Sequence, residues 1–386
     1  MDRAALIWDP ALADYNLGPT HPLNPVRLTL SVDLMEAYGF LDEDDIIDPR
    51  PATDLQIALV HSRGYIETVV EASDWGTGLH AGSGLGTDDN PIFPGMHDVA
   101  ALICGASITG LREVVTGKRT RTFSIAGGLH HAHRSRAAGF CVFNDAAVAI
   151  AVAREERPGL RVLYIDVDAH HGDGVEEAFA GSAEVMTISL HESGLFAFPG
   201  TGFPSETGYD AGRGYAVNVP LPRLATDECY RLAFDHVVDP LARAFAPDVI
   251  VAQLGADAHH TDPLTDLGMT LPGYRDVVDR IIALADDLCE GRLAALGGGG
   301  YQIVTVVPLA WTWVMARLTG VELAEEIPEN WRERVVAKGL AQPPRTLGAD
   351  DRFELPAAQA EFVLTQTETA IRDVRDAVFP LHGLVP

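Results

Sequence analysis

The chain of 386 residues carries 55 acidic against 28 basic side chains, a formal charge of −27 at pH 7. Hydrophobic residues at 47% and charged residues at 22% describe a folded globular protein with ample core, not a disordered one. Such a charge repels phosphate, which excludes a nucleic-acid surface and disfavours anionic membranes while leaving cationic partners open.

In chain order, the opening Met1–Pro10 lacks the apolar core of a signal peptide. The longest purely apolar run, Ala146–Ala153, is too short to cross a bilayer. The acidic run Asp42–Asp45 and the stretch Pro51–Asp54 read as surface loop. The Gly-rich segment Gly76–Pro94 exceeds an ordinary turn and predicts a lid or functional loop. Short β-branched runs then predict strands at Thr122–Ile125, Arg161–Val167, Val185–Leu190, Tyr215–Val219, Val249–Leu254 and Leu293–Leu296. Helical patterns alternate with them: Ala146–Glu156, capped by Asn144 or Asp145 and stopped by Pro158-Gly159, then Cys229–Phe245 and Tyr274–Cys289. This alternation predicts an α/β fold with a mainly parallel sheet flanked by helices and the active site at the carboxyl ends of its strands. The four cysteines, Cys104, Cys141, Cys229 and Cys289, are widely spread, which suits a reducing, cytoplasmic setting.

Polar residues gather at the predicted strand ends. Seven of the fourteen histidines fall in three clusters: His130, His131 and His133; His170 and His171; His259 and His260. In extended backbone, Asp166, Asp168 and His170 project to one side. Carboxylates aimed at one point call for a cation, and Asp168, His170 and Asp257 supply the oxygen and nitrogen donors of a catalytic zinc site with an open position. The same donors accept Fe(II), Co(II) or Mn(II). His130 and His131 on the Gly127-Gly128 turn fit a general base, with Asp166 and Asp173 available to orient them. Spacing does not say which carboxylate ligates and which orients. Gly297–Gly300 with Tyr301 lacks the Lys-Ser/Thr of a P-loop, and the phenol fits a donor to a developing oxyanion.

Together these motifs resemble the histone deacetylase superfamily, which has the arginase-like fold. The resemblance rests on Gly127–His131, Gly139–Asp145, Tyr164–Gly174, Phe198–Gly202, Gln253–Asp257 and Gly297–Tyr301, and spans about residues 20–315. His21–Arg27 and Ser189–Gly194 are most similar to its bacterial acetoin utilization branch, near the class I deacetylases. A single domain over residues 1–386 is expected, with an appendage at about 325–386.

The resemblance implies hydrolysis of N-acetyl-lysine in proteins through a metal-bound water, acetyl-CoA synthetase being one candidate substrate. Acetylated polyamines or other small amides are the alternative, and a non-catalytic acetyl-lysine reader a third reading. It implies zinc at Asp168, His170 and Asp257, and catalysis by His130, His131, Asp166, Asp173 and Tyr301. Gly139, Phe140, Phe198, Leu264 and Gly299 would shape the acyl-lysine tunnel, with Asp88 as rim acid, although Asp89 adjoins it and Thr87 replaces the usual aromatic. Arg27 and Cys141 would line an inner cavity. Structural potassium would sit at Asp166, Asp168, His170, Ser189 and Leu190, and again at Phe179, Ser182, Val185 and Tyr215. His259 and His260 depart from the family pattern and are expected to be solvated.

Overall fold

A computed structural model describes residues 4–75 and 82–386, so part of the expected Gly-rich loop, residues 76–81, lies outside the described residues. Eight strands form one sheet in the order β2-β1-β3-β8-β7-β4-β5-β6, every neighbouring pair parallel. They are β1 Ala5–Ile7, β2 Ile46–Ile47, β3 Arg121–Ser124, β4 Val162–Asp166, β5 Val185–Glu192, β6 Ala216–Leu221, β7 Val249–Gln253 and β8 Leu293–Leu296. The central runs Val162–Asp166 and Val249–Gln253 are buried throughout, because helices cover both faces of a parallel sheet. β1 and β2, three and two residues long, are too short to show a periodicity in sequence.

Helix Asp145–Glu156 starts on Asn144, whose side chain accepts from the Ala147 amide, which decides between the two candidate caps. The expected helix Cys229–Phe245 begins earlier, at Asp227, and is broken by a π-turn over Phe234–Val238. Pro240 just beyond has no amide hydrogen and crowds the preceding turn, so the hydrogen-bond ladder widens there. Helix Leu271–Cys289 also begins earlier than expected, with Thr270 as cap and Pro272 in its first turn, where a missing N–H costs nothing.

The acidic run is not all surface loop. Glu43–Asp45 is a short 3-10 turn leading into β2, and buried Asp45 accepts from the Asp42 amide to close it. Within Pro51–Asp54, Ala52 is buried and its amide donates to the Ala101 carbonyl. Beyond the sheet, helix Glu329–Ala337 docks by Trp331, whose indole donates to the Leu30 carbonyl, and helix Ala357–Val378 packs beside β6. No helix among the described residues is long and apolar enough to cross a membrane.

Candidate active site

The site is assembled where β3, β4, β7 and β8 end. After β3 the chain turns through Gly127-Gly128, and the buried Asp145 carboxylate accepts from the Gly128 and Leu129 amides at 3.0 and 2.7 Å. That grip fixes the two residues that follow, His130 and His131, whose Nε2 atoms meet at 3.0 Å. Their Nδ1 atoms point oppositely, to Asp166 Oδ2 and Asp173 Oδ1, each at 2.8 Å.

The two imidazoles titrate far apart. Burial opposes charge on His130, but the charges of Asp166 and Asp168 outweigh it and raise the ring to about 9. Burial and then the neighbouring His130 pull His131 down to about 4, against Asp173. His130 is thereby biased toward its charged form and His131 toward the neutral imidazole.

The carboxylates of Asp168 and Asp257 face one imidazole nitrogen. His170 Nδ1 lies 3.2 Å from Asp168 Oδ1 and 3.0 Å from Asp257 Oδ2. The other oxygen of each acid is occupied: Asp168 Oδ2 accepts from Gln253 Nε2 and the Gly299 amide, both at 2.7 Å, and Asp257 Oδ1 from the Ala169 amide at 2.8 Å. Burial and then Asp168 push Asp257 above the usual carboxylate range, as two acids aimed at one point demand. Three donor atoms within 4.8 Å of one another, two hard oxygens and one imidazole, fit a divalent cation. Gly299 makes room for this cluster, since a Cβ there would lie 2.1 Å from Asp257 Oδ2.

Above the donors lies a pocket of about 190 Å³ walled by Phe140, Phe198, Leu264, Tyr301 and Gly139, with His131 and His170 at its floor. Phe140 meets Tyr301 edge-on at 5.9 Å, and His131 meets Phe198 at 4.9 Å. Phe140 holds a left-handed φ of 70°, secured by the Tyr15 hydroxyl donating to its carbonyl at 2.7 Å. Burial and the charges of Asp257 and Asp168 push the Tyr301 phenol well above its ordinary value, so it stays a hydrogen-bond donor.

Two expected positions differ. Asp89, not Asp88, lines the tunnel mouth, because the turn closed from the Gly86 amide to the Asn90 carbonyl brings Asp89 inward, where His21 Nε2 bonds its carbonyl. His259 and His260 are not solvated: both bind the Asp351 carboxylate, at 2.8 and 2.9 Å.

Cys141 lines a small inner cavity with Leu23 and Gly298, and burial pushes its thiol well above the usual range, so it is no thiolate nucleophile. Arg27 does not line that cavity; it braces its wall by donating to the Gly298 and Gly300 carbonyls at 2.8 and 3.1 Å. Of the residues expected around potassium, Asp166 and Ser189 pair across β4 and β5, while the Phe179 and Tyr215 carbonyls each accept a backbone N–H.

Sequence reasoning passed over Tyr164, Gln253 and Asp262. Tyr164 donates to Asp166 Oδ2 at 2.7 Å, and Asp262 Oδ2 accepts from the Tyr301 amide at 2.8 Å. Gln253 left one signal, a lone polar side chain closing an apolar strand.

Fold and site together define a hydrolytic enzyme built on a parallel α/β sheet. A sequence model of the histone deacetylase domain matches residues 21–318. The acetoin utilization protein AcuC of Bacillus subtilis is 40% identical over 333 residues, 86% of either chain. AcuC of Staphylococcus xylosus is 36% identical over 323 residues, covering 83% of this chain and 84% of that one. The crystal structure of a histone deacetylase homologue from Aquifex aeolicus superposes with a TM-score of 0.84 at 30% identity, over 95% of this chain and all of the other. The chain belongs to the histone deacetylase family, and it is a deacetylase-type hydrolase of AcuC-like kind.

Proposed function

We propose that this enzyme removes acetyl groups from lysine side chains of proteins, with zinc at Asp168, His170 and Asp257. The observation that carries the reading is the buried His130–His131 pair, each ring held by its own carboxylate, beside that donor set at the floor of an aromatic-walled tunnel. A bound divalent cation would supply Lewis acidity, polarising the acetyl carbonyl and acidifying a water. Phe140 and Phe198 grip the aliphatic stem, while His131 takes the proton of the attacking water. Tyr301 donates to the oxyanion as the carbonyl carbon becomes tetrahedral. Asp166 favours the charged form of His130, and Asp173 holds His131 Nδ1 so that Nε2 faces the reaction. The proton gained by His131 passes to the leaving lysine amine.

Acetyl-CoA synthetase bearing an acetylated lysine is the protein substrate proposed first. The oxygen-rich groups at the ends of β4 and β5, and those around Phe179, Ser182, Val185 and Tyr215, are proposed to hold structural potassium. Four buried free thiols support a cytoplasmic setting.

One observation favours acetylated polyamines as a second reading. An open pocket of about 540 Å³ beside the mouth includes Asp89, Glu176, Glu177 and Glu206 in its lining, which suits a second cationic group. Zinc-loaded enzyme assayed side by side should hydrolyse an acetyl-lysine peptide faster than acetylspermidine, judged by kcat/KM. The reverse order would overturn the protein-substrate reading.

A further inference from the structure

We infer that Asp351, beyond the segment matched by the deacetylase domain model, is a positioning residue for Tyr301. Its carboxylate ties together three pieces of chain: Oδ2 accepts from His259 Nε2 and the Leu271 amide, both at 2.8 Å, and Oδ1 from His260 Nε2 at 2.9 Å. The Thr261 amide points at His259 Nδ1 at 3.2 Å, which leaves the ring proton on Nε2, toward Asp351. His259 thus donates from Nε2, and His260 Nε2 meets the other carboxylate oxygen. Phe353 stacks on His260 at 5.3 Å, so the C-terminal segment grips the pair by packing as well as by charge.

From His259 a short route reaches the phenol. The His259 carbonyl accepts from the Asp262 amide at 2.8 Å, closing a turn. Asp262 Oδ2 then accepts from the Tyr301 amide at 2.8 Å, and its Oδ1 from the amide of Leu264 at 3.0 Å. The same turn therefore sets both Tyr301 and one wall of the tunnel. His259 is held from the other side by a bridge to Met269. Without Asp351 the turn loses its hydrogen-bonded anchor from the C-terminal segment, and the backbone carrying Tyr301 shifts while Asp168, His170 and Asp257 keep their own amide and side-chain contacts.

This inference rests on the reading of Tyr301 as oxyanion donor, and a double-mutant cycle separates the two. Asp351→Ala should lower kcat about ten- to a hundredfold, with one bound divalent metal per chain retained. Asp351→Asn, which keeps an acceptor for the Leu271 amide and one histidine, should lose less and serves if the alanine variant fails to fold. In a Tyr301→Phe background the Asp351 substitution should add less than threefold, because its effect passes through the phenol. An equal loss in both backgrounds, or none in either, would overturn the positioning role. An undiminished kcat in Tyr301→Phe alone would instead overturn the oxyanion reading.

Discussion

Gly139 lies against the catalytic pair with a left-handed φ of 50°, and a Cβ built on it would sit 2.3 Å from His131 Cδ2 and 2.7 Å from Cγ. A normal carbon–carbon contact is about 3.5 Å, so Gly139→Ala demands a displacement of about 1 Å. Phe198, the third neighbour at 2.9 Å, is half-exposed and can move outward. The His131 ring cannot yield without stretching its bonds at 2.8 Å to Asp173 and 3.0 Å to His130. The left-handed backbone and the overpacking together cost about 2–5 kcal/mol of stability, and a 1 Å misplacement of the proton acceptor lowers kcat about a hundredfold. Gly159→Ala is the matched control: its φ is 84°, with nothing within 4 Å of the added Cβ. It should show the backbone cost alone, about 1–2 kcal/mol, with kcat unchanged. Steady-state kinetics on an acetyl-lysine peptide, thermal melting and metal stoichiometry give the readouts. A Gly139→Ala enzyme with kcat within threefold of the parent would refute the claim that the tunnel wall holds His131 in place.

Removing one donor should empty the cation site: Asp168→Ala is expected to lose stoichiometric metal and turnover together, and metal retained at one per chain would discard the assigned ligand set. For the parent enzyme, chelation should abolish turnover and added zinc restore it; turnover that persists in metal-free enzyme would refute metal dependence. His133 supplies a pH test of stability. Hydrogen bonds to Asp173 and then Glu177 raise it to about 9, against about 6.5 unfolded. A raised folded value means stabilisation complete below about 6.5 and lost as pH climbs through about 9. The melting-temperature gap between the parent and His133→Gln should therefore be widest near pH 6 and close by pH 10; a gap that widens with pH would contradict the assignment.

What sequence could show was governed by how local the signal is. β4 and β7 are apolar runs closed by a polar residue, so both strands stand out along the chain, and so does the acid Asp166 that closes β4. The donors Asp168 and His170 are two residues apart and declare their shared side, whereas Asp257 enters from another strand and was legible only through its place at that strand's end. Asp262 and Asp351 had no such signal. One looks like a turn residue before a proline, and the other lies in a loop ninety-odd positions from its histidines. The exchange of Asp88 for Asp89 has the same origin, because a residue count along a loop does not say which residue a turn sets at the pocket. The buried Asp45 was hidden inside an acidic run whose composition resembles solvated chain, with two-residue β2 directly after it, though the Asp42 amide needs that carboxylate to finish the turn.

The place of β8 in the sheet bears on how the chain is made. It lies between β3 and β7 and is the last strand to leave the ribosome, so until Leu293–Leu296 emerge the growing chain consists of two part-sheets, each with an open row of N–H and C=O groups. Those two edges are the natural targets for chaperones, or for pairing with a second nascent copy. The Gly-rich turn and Tyr301 come directly after β8. Completion of the sheet and arrival of the phenol are therefore one event in synthesis, and a stalled, half-made chain has neither.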